Sequence, residues 1–179
     1  MMTNEVKARI TVDDLAALDD QWIEVKNGEL VEVETSAMGL LHTVIIENIL
    51  DTLKPSVRTT KCGYIHGDGL KYILHVDEQG VQVSVIPDAA FLRTDRLSTE
   101  FDSIRPFVGA PDFAVEIVSP GQAMPDVLDK IADYLRYGTE EVWLIFQVKR
   151  ELHRYRQDWQ APESYKVEDG FEAAPLFPA

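Results

Sequence analysis

Three residues in this chain have types and settings that could do chemistry together: an acid inside an apolar strand, a lysine on the helix that follows, and a second acid behind a proline. Glu116 lies in PDFAVEIVSP, residues 111–120, where 113–118 are otherwise apolar and rich in β-branched side chains, so a strand is expected. Alternation puts Ala114, Glu116 and Val118 on one face and Phe113, Val115 and Ile117 on the other. A carboxylate among such neighbours is costly to bury unless a cation or metal meets it. Lys130 sits in a stretch with helical periodicity, 124–137, whose apolar side is marked by Val127, Leu128, Ile131, Tyr134 and Leu135. From a neighbouring flank its amine can point past the end of the strand. Asp88 follows Pro87, which interrupts a strand-like run at 81–92, and a proline there marks an edge or a bulge that re-aims a side chain. Taken alone, Asp88 reads equally well as a turn residue satisfied by backbone amides.

Together the three suggest metal-assisted hydrolysis. Two carboxylates brought close repel one another unless a divalent cation lies between them. Magnesium takes a few carboxylate oxygens, keeps several waters and accepts phosphate as a further ligand. A metal held in that way acidifies a water and polarises a phosphoryl oxygen. A neighbouring lysine can steer the water and stabilise growing negative charge. These are the parts of a phosphodiesterase, although an acid on a strand and a lysine on a helix are each common.

The elements needed to position these residues can be read in order. Residues 11–18 form a short helix with Thr11 as N-cap and Asp13 and Asp14 in its first turn. Stretches 22–26 and 29–34 are strand-like, joined by the hairpin signal Asn27-Gly28. Thr35 or Ser36 caps a longer helix with Leu41, Ile45, Ile49 and Leu53 on its apolar face, stopped by Pro55. Further strands are expected at 57–65, 70–76 and 81–92, then a polar loop from Arg93 to Gly109. After the strand–helix–strand core, with Gly138 as helix terminator and a strand at 142–148, come a hairpin and one more strand around Tyr165. This is an α/β or α+β arrangement with a mixed sheet.

At 179 residues the chain is expected to be one domain, with no repeats or linker. A single cysteine, Cys62, leaves no intramolecular disulfide and points to a reducing compartment; no apolar run approaches membrane-spanning length, and the N-terminus lacks a signal-peptide core. A cytoplasmic protein is expected. The net charge of −14 runs against tight duplex binding, because nucleic-acid affinity draws on Lys and Arg neutralising phosphates. The densest basic patch, Lys149, Arg150, Arg154 and Arg156, reads first as a solvated hairpin edge. There is no GxxxxGK loop and no GxSxG elbow; Cys62 has no partner for a thiolate site, and His42, His66, His75 and His153 are scattered.

PDAAF at 87–91, PDFAVEIVSP at 111–120 and DVLDKIADYLRYGTEEVWLI at 126–145, in that linked order, resemble the signature of the Uma-two family. That family is placed in the PD-(D/E)XK, or restriction-endonuclease-like, nuclease superfamily, and the resemblance runs from the hairpin WIEVKNGELVEVE at 22–34 through the strand at 142. It implies a restriction-endonuclease-like α/β fold with a central mixed sheet flanked by helices. Asp88 then matches the aspartate of the first motif and Glu116 the acid of the second. The superfamily lysine two residues further on is here Val118, and the resemblance resolves this with Lys130 on the following helix. The main-chain carbonyl of Ile117 would be a further metal ligand. His42 matches a histidine of the family's first long helix and equally suits packing on an apolar face; Glu24 matches a hairpin glutamate with a supporting or structural place. Met124-Pro125 and the proline- and serine-poor turn ETSAMGLLH depart from the family pattern.

The expectations are therefore a single domain over 1–179, with an N-terminal helix and hairpin at 11–34, a nuclease core at 36–157 and a tail at 158–179. Its function would be Mg²⁺- or Mn²⁺-dependent hydrolysis of nucleic acid, DNA above RNA. The catalytic set is Asp88, Glu116, Lys130 and His42, with Asp88, Glu116 and Ile117 at the metal, and no membrane is involved. A homodimer is expected, since cutting both strands of a duplex favours two copies of the site. A second reading, from a different class, keeps the fold as an inert protein-binding or regulatory module.

Overall fold

A computed structural model describes residues 9–18, 21–33, 39–97 and 102–166. Two mixed sheets form its frame. In chain order the elements are α1 (Val12–Ala16), β1 (Ile23–Lys26), β2 (Glu29–Glu32), α2 (Leu40–Thr60), β3 (Gly63–Gly67), β4 (Tyr72–Asp77), β5 (Gly80–Val85) and β6 (Ala89–Arg93). A 3₁₀ turn at Thr94–Arg96 precedes β7 (Phe107–Val108), β8 (Phe113–Val118), α3 (Met124–Arg136), β9 (Glu141–Phe146), β10 (Glu151–Arg156) and β11 (Glu163–Lys166). The larger sheet runs β11-β10-β9-β8-β6-β3 and the smaller β2-β1-β5-β4-β7. Within the larger sheet β8 and β9 are parallel, joined through α3, and the remaining pairs are antiparallel.

Side-chain alternation explains the layering. Phe113, Val115 and Ile117 of β8 join Ala89, Phe91, Trp143 and Ile145 against Ile46, Leu53 and Val57 of α2. The other face, with Ala114, Ala90, Leu92, Val142 and Leu144, packs on Val127, Ile131 and Tyr134 of α3 and on Tyr72, Leu74, Val83 and Val85 of the smaller sheet. The back of that sheet closes on Leu15 of α1 through Val25, Ile73 and Val81. The six-stranded sheet thus has a helix on each face, and the central mixed sheet of the expected fold is this one. The five-stranded sheet stacked on it is an additional layer.

Local chemistry sets several boundaries as expected. Thr11 caps α1 in a full capping box, its hydroxyl accepting from the Asp14 amide while the Asp14 carboxylate accepts from the Thr11 amide. Asn27 and Gly28, with φ of 53° and 70°, make the β1–β2 turn. Gly138, at φ 115°, follows the end of α3.

Three expectations are corrected. Pro55 does not stop α2, which continues to Thr60 with Pro55 inside it. Leu53 and Val57, four residues apart across the proline, are both buried on the large sheet, so packing outweighs the lost backbone bond. Residues 57–60, read as the start of a strand, are therefore helix; α2 ends at Lys61 in the left-handed region, and β3 begins only at Gly63. The capping residues Thr35 and Ser36 lie outside the described residues, and the described helix begins after Gly39. Finally, the loop 93–109 contains the 3₁₀ turn and β7, which adds a parallel edge to β4.

The basic patch after β9 also differs from the solvated edge expected. Arg154 turns inward to the buried Glu141, donating from Nε to Oε1 at 2.7 Å and from Nη2 to Oε2 at 3.0 Å. Trp143 Nε1 donates to the same Oε1, and the Arg154 guanidinium lies over Trp159 and Tyr165. No described helix is long and apolar enough to cross a membrane.

Candidate active site at the ends of the central strands

The antiparallel register of β6 and β8 pairs Ala89 with Val115, and one step further lie Asp88 and Glu116. Pro87 ends β5's run without breaking the connection, and the Asp88 amide donates to the Val115 carbonyl at 3.1 Å. Asp88 Oδ2 accepts from the Ile117 amide at 2.6 Å, while Oδ1 stands 3.2 Å from His42 Nε2. Asp88 is thus fastened to β8 one residue beyond Glu116, with α2 supplying its other partner. The turn-residue reading of Asp88 holds to this extent: one of its partners is a backbone amide.

Glu116 points to the other helix. Tyr134 donates its hydroxyl to Oε1 at 2.7 Å, and the Lys130 ammonium lies 2.9 Å from Oε1 and 3.1 Å from Oε2. Lys130 and Tyr134 are four residues apart on α3, hence on one face of it. Lys130 also donates to the Ile86 carbonyl at 3.1 Å and pairs with Glu24 Oε1 at 2.8 Å. Glu24, on β1, accepts from the Ile86 amide at 2.7 Å.

Electrostatics follow from this crowding. Burial pushes the Glu116 carboxyl up to about 7; Lys130 and the Tyr134 hydroxyl work against that, and the charges of Asp88 and Glu24 add to it. Burial would by itself lower the Lys130 amine, but Glu116 and Glu24 overcome it and hold the amine well above its usual value. His42 is raised through its hydrogen bond to Asp88, against the effect of burial. Its side chain is buried, and Nδ1 has no hydrogen-bond partner among the described residues.

The sequence-derived residues therefore fall in two adjoining clusters, Asp88 with His42 and the Ile117 amide, and Glu116 with Lys130 and Tyr134, joined by the peptide between Glu116 and Ile117. Among the described residues, no three His, Cys, Asp or Glu side chains converge as metal ligands. Beside these clusters a cleft of about 380 Å³ opens between the β1–β2 hairpin, β5, β8 and α3, with Glu116 and Lys130 in its wall. Its charged lining is mainly acidic: Glu24, Glu32, Asp126 and Asp133 join Glu116 against Lys26 and Lys130.

Sequence reasoning missed Tyr134, which looked like one more apolar marker of α3, and the Ile86 peptide. The Tyr134 signal was its place one turn after Lys130; a backbone group leaves none.

The Uma2 family model, described as "Putative restriction endonuclease", matches residues 12–179. The chain belongs to the Uma2 family. A search of curated proteins returns no match. Among solved structures this Uma2 chain is similar to one titled as a putative nuclease belonging to DUF820 from Anabaena variabilis. The two share 21% identity with a TM-score of 0.69, over 88% of this chain and 84% of that one, so the likeness is one of fold.

Proposed function

We propose that this chain is a divalent-metal-dependent endonuclease, hydrolysing phosphodiester bonds at the Asp88–Glu116–Lys130 end of the central sheet. The observation that carries the reading is Lys130 reaching from α3 to both oxygens of Glu116, while Asp88 is fastened to the next residue of the same strand. The family's description as a restriction endonuclease supports nucleic acid as substrate, DNA above RNA.

The donors fit a hard divalent ion. They are all oxygen, and the buried Glu116, pushed up by burial and by Asp88 and Glu24, is a carboxylate that added positive charge would relieve. Asp88, Glu116 and the Ile117 carbonyl would hold Mg²⁺ or Mn²⁺, leaving water and phosphate oxygens to complete the shell. The ion, when bound, supplies an acidified water and neutralises the phosphate. Lys130 stays protonated because two carboxylates face it, so it acts as donor and charge and not as base. In that role it orients the attacking water and offsets charge growing on the phosphate. Tyr134 fixes one oxygen of Glu116, and His42 fixes one oxygen of Asp88. Hydrolysis of both strands of a duplex favours a homodimer, and the single cysteine suits a reducing cytoplasm.

The acidic cleft lining and the net charge of −14 favour a second reading, a fold kept for binding a protein partner without catalysis. Titration calorimetry of Mg²⁺ and Mn²⁺ into wild type and Asp88→Ala, with and without an oligonucleotide, separates the two. Saturable binding lost in the variant, with cleavage of the oligonucleotide, is the expected result. No binding to either protein under both conditions would leave the inert module.

A further inference from the structure

Two strand residues on β1, Glu24 and Lys26, are two apart and so share a face, and both reach α3. Lys26 pairs with Asp126 at 3.2 Å and Asp129 at 3.1 Å, and Glu24 pairs with Lys130. The outer pairs are solvent-exposed and contribute little. The inner pair differs: both side chains are less than one-fifth exposed.

The inner contact is a closed ring. The Ile86 amide donates to Glu24 Oε1, Lys130 Nζ pairs with that same oxygen, and Lys130 Nζ donates back to the Ile86 carbonyl. A lysine ammonium has three donors. Those of Lys130 have Ile86, Glu24 and Glu116 as partners. Ile86 is two residues before Asp88, so the peptide that receives Lys130 also leads into the second carboxylate.

We propose that Glu24 is a positioning residue for Lys130: its carboxylate and the Ile86 peptide hold the ammonium against Glu116, at the inner end of the cleft. The lysine stem is long and flexible. Without Glu24 it keeps Glu116 and the Ile86 carbonyl but loses the charge on its third side. The functional meaning rests on the phosphodiesterase reading, in which Lys130 orients the attacking water. The placement itself does not.

Glu24→Gln separates positioning from anchoring. Glutamine keeps a carbonyl oxygen for the Ile86 amide, so the hairpin stays attached, but removes the charge facing Lys130. The first measurement is the rate at which acetyl N-hydroxysuccinimide modifies Lys130 in the folded, metal-free protein, followed by peptide mass spectrometry. Glu24→Gln should raise that rate several-fold, because an ammonium no longer held on its third side swings out to the reagent more often, and Lys26→Ala should leave it unchanged. A wild-type rate in a Glu24→Gln protein of unaltered melting temperature would overturn the proposal and make Glu24 a hairpin anchor only. Should Glu24→Gln not fold, Glu24→Asp retracts the charge by one methylene and should also speed labelling; an unchanged rate there overturns the proposal too.

The second measurement is cleavage of an oligonucleotide with Mn²⁺. Glu24→Gln should lower kcat about tenfold, within the range of a lost orienting contact, with KM unchanged; a loss confined to KM would reject the positioning role. A wild type that cleaves nothing sinks the phosphodiesterase reading, and the labelling result still decides where Glu24 puts Lys130.

Discussion

The amide of Ile117 donates to Asp88 Oδ2 at 2.6 Å, which ties the acid before β6 to the strand residue that follows Glu116. The two carboxylates are thereby set at the same end of adjacent strands, although Asp88 takes its side-chain partner from α2 and Glu116 takes its own from α3.

Asp88→Asn tests this directly. An asparagine can turn its carbonyl oxygen to the Ile117 amide and keep the strand contact, while His42 changes tautomer to accept from the new NH₂ group. The fold should therefore persist, with stability changed by no more than about 1 kcal/mol, the scale of one exchanged hydrogen bond. Metal binding by calorimetry should fall below detection, and any nuclease turnover should drop by about a hundredfold or more. Unchanged turnover would remove Asp88 from the chemistry.

Lys130 gives a prediction with two signs. Its ammonium contacts both oxygens of Glu116, so it competes with a cation for that carboxylate. Lys130→Met keeps the stem and removes the competitor; divalent-metal affinity should rise, by about tenfold for one ion-pair partner lost. Turnover should fall at the same time, because nothing then orients the water. Weaker metal binding in Lys130→Met would mean that the lysine helps to build the metal site.

Much of this site was legible because its residues break local patterns. Glu116 is an acid in an apolar strand, Asp88 follows a proline in a strand-like run, and Lys130 sits on the flank of a strongly amphipathic helix. Each departure asks for a partner: Glu116 and Lys130 find one another, and Asp88 finds His42 and the Ile117 amide. Tyr134 was hidden because a tyrosine on an apolar stripe breaks no pattern, and Ile86 because its contribution is a peptide group. The frame was legible in its alternating strands and hairpin signals but not in how its layers stack. Pro55 misled because the cost of a helical proline is local, whereas the burial of Leu53 and Val57 that outweighs it is tertiary. The sign of Arg154's environment was equally out of reach, since Glu141 is thirteen residues away and meets it only across the β9–β10 ladder.

The raised Glu116 carboxyl makes stability depend on pH. Its value in the folded protein, about 7, lies above its ordinary 4.5, so the folded state binds the proton more tightly than the unfolded chain does. Both states are protonated below 4.5, where the group costs nothing; the cost of burying its charge grows as pH rises from about 4.5 to about 7 and is complete above that. Glu116→Gln abolishes this slope. In metal-free buffer, the melting temperature of Glu116→Gln relative to wild type should climb between pH 4.5 and pH 7.5 and be level above it. A difference independent of pH would place the titration elsewhere.

The Glu141 cluster predicts a variant that damages the fold and spares the site. Glu141 begins β9 opposite Phe113, whereas Glu116 pairs in register with Leu144, three residues along, a separation of about 10 Å at the usual strand rise. Glu141 is almost fully buried, and Arg154 and Trp143 both donate to it. Arg154→Ala leaves that carboxylate with the indole N–H and the more distant Arg156, at 3.8 Å. Removing one partner of such a buried pair costs about 3–5 kcal/mol, which urea denaturation should register as a lower midpoint with an unchanged slope. Metal affinity measured well below that midpoint should equal that of wild type. A matching loss of metal binding would show that Glu141 and the Glu116 region are coupled through β9, and that the proposed site depends on more than the side chains that touch it.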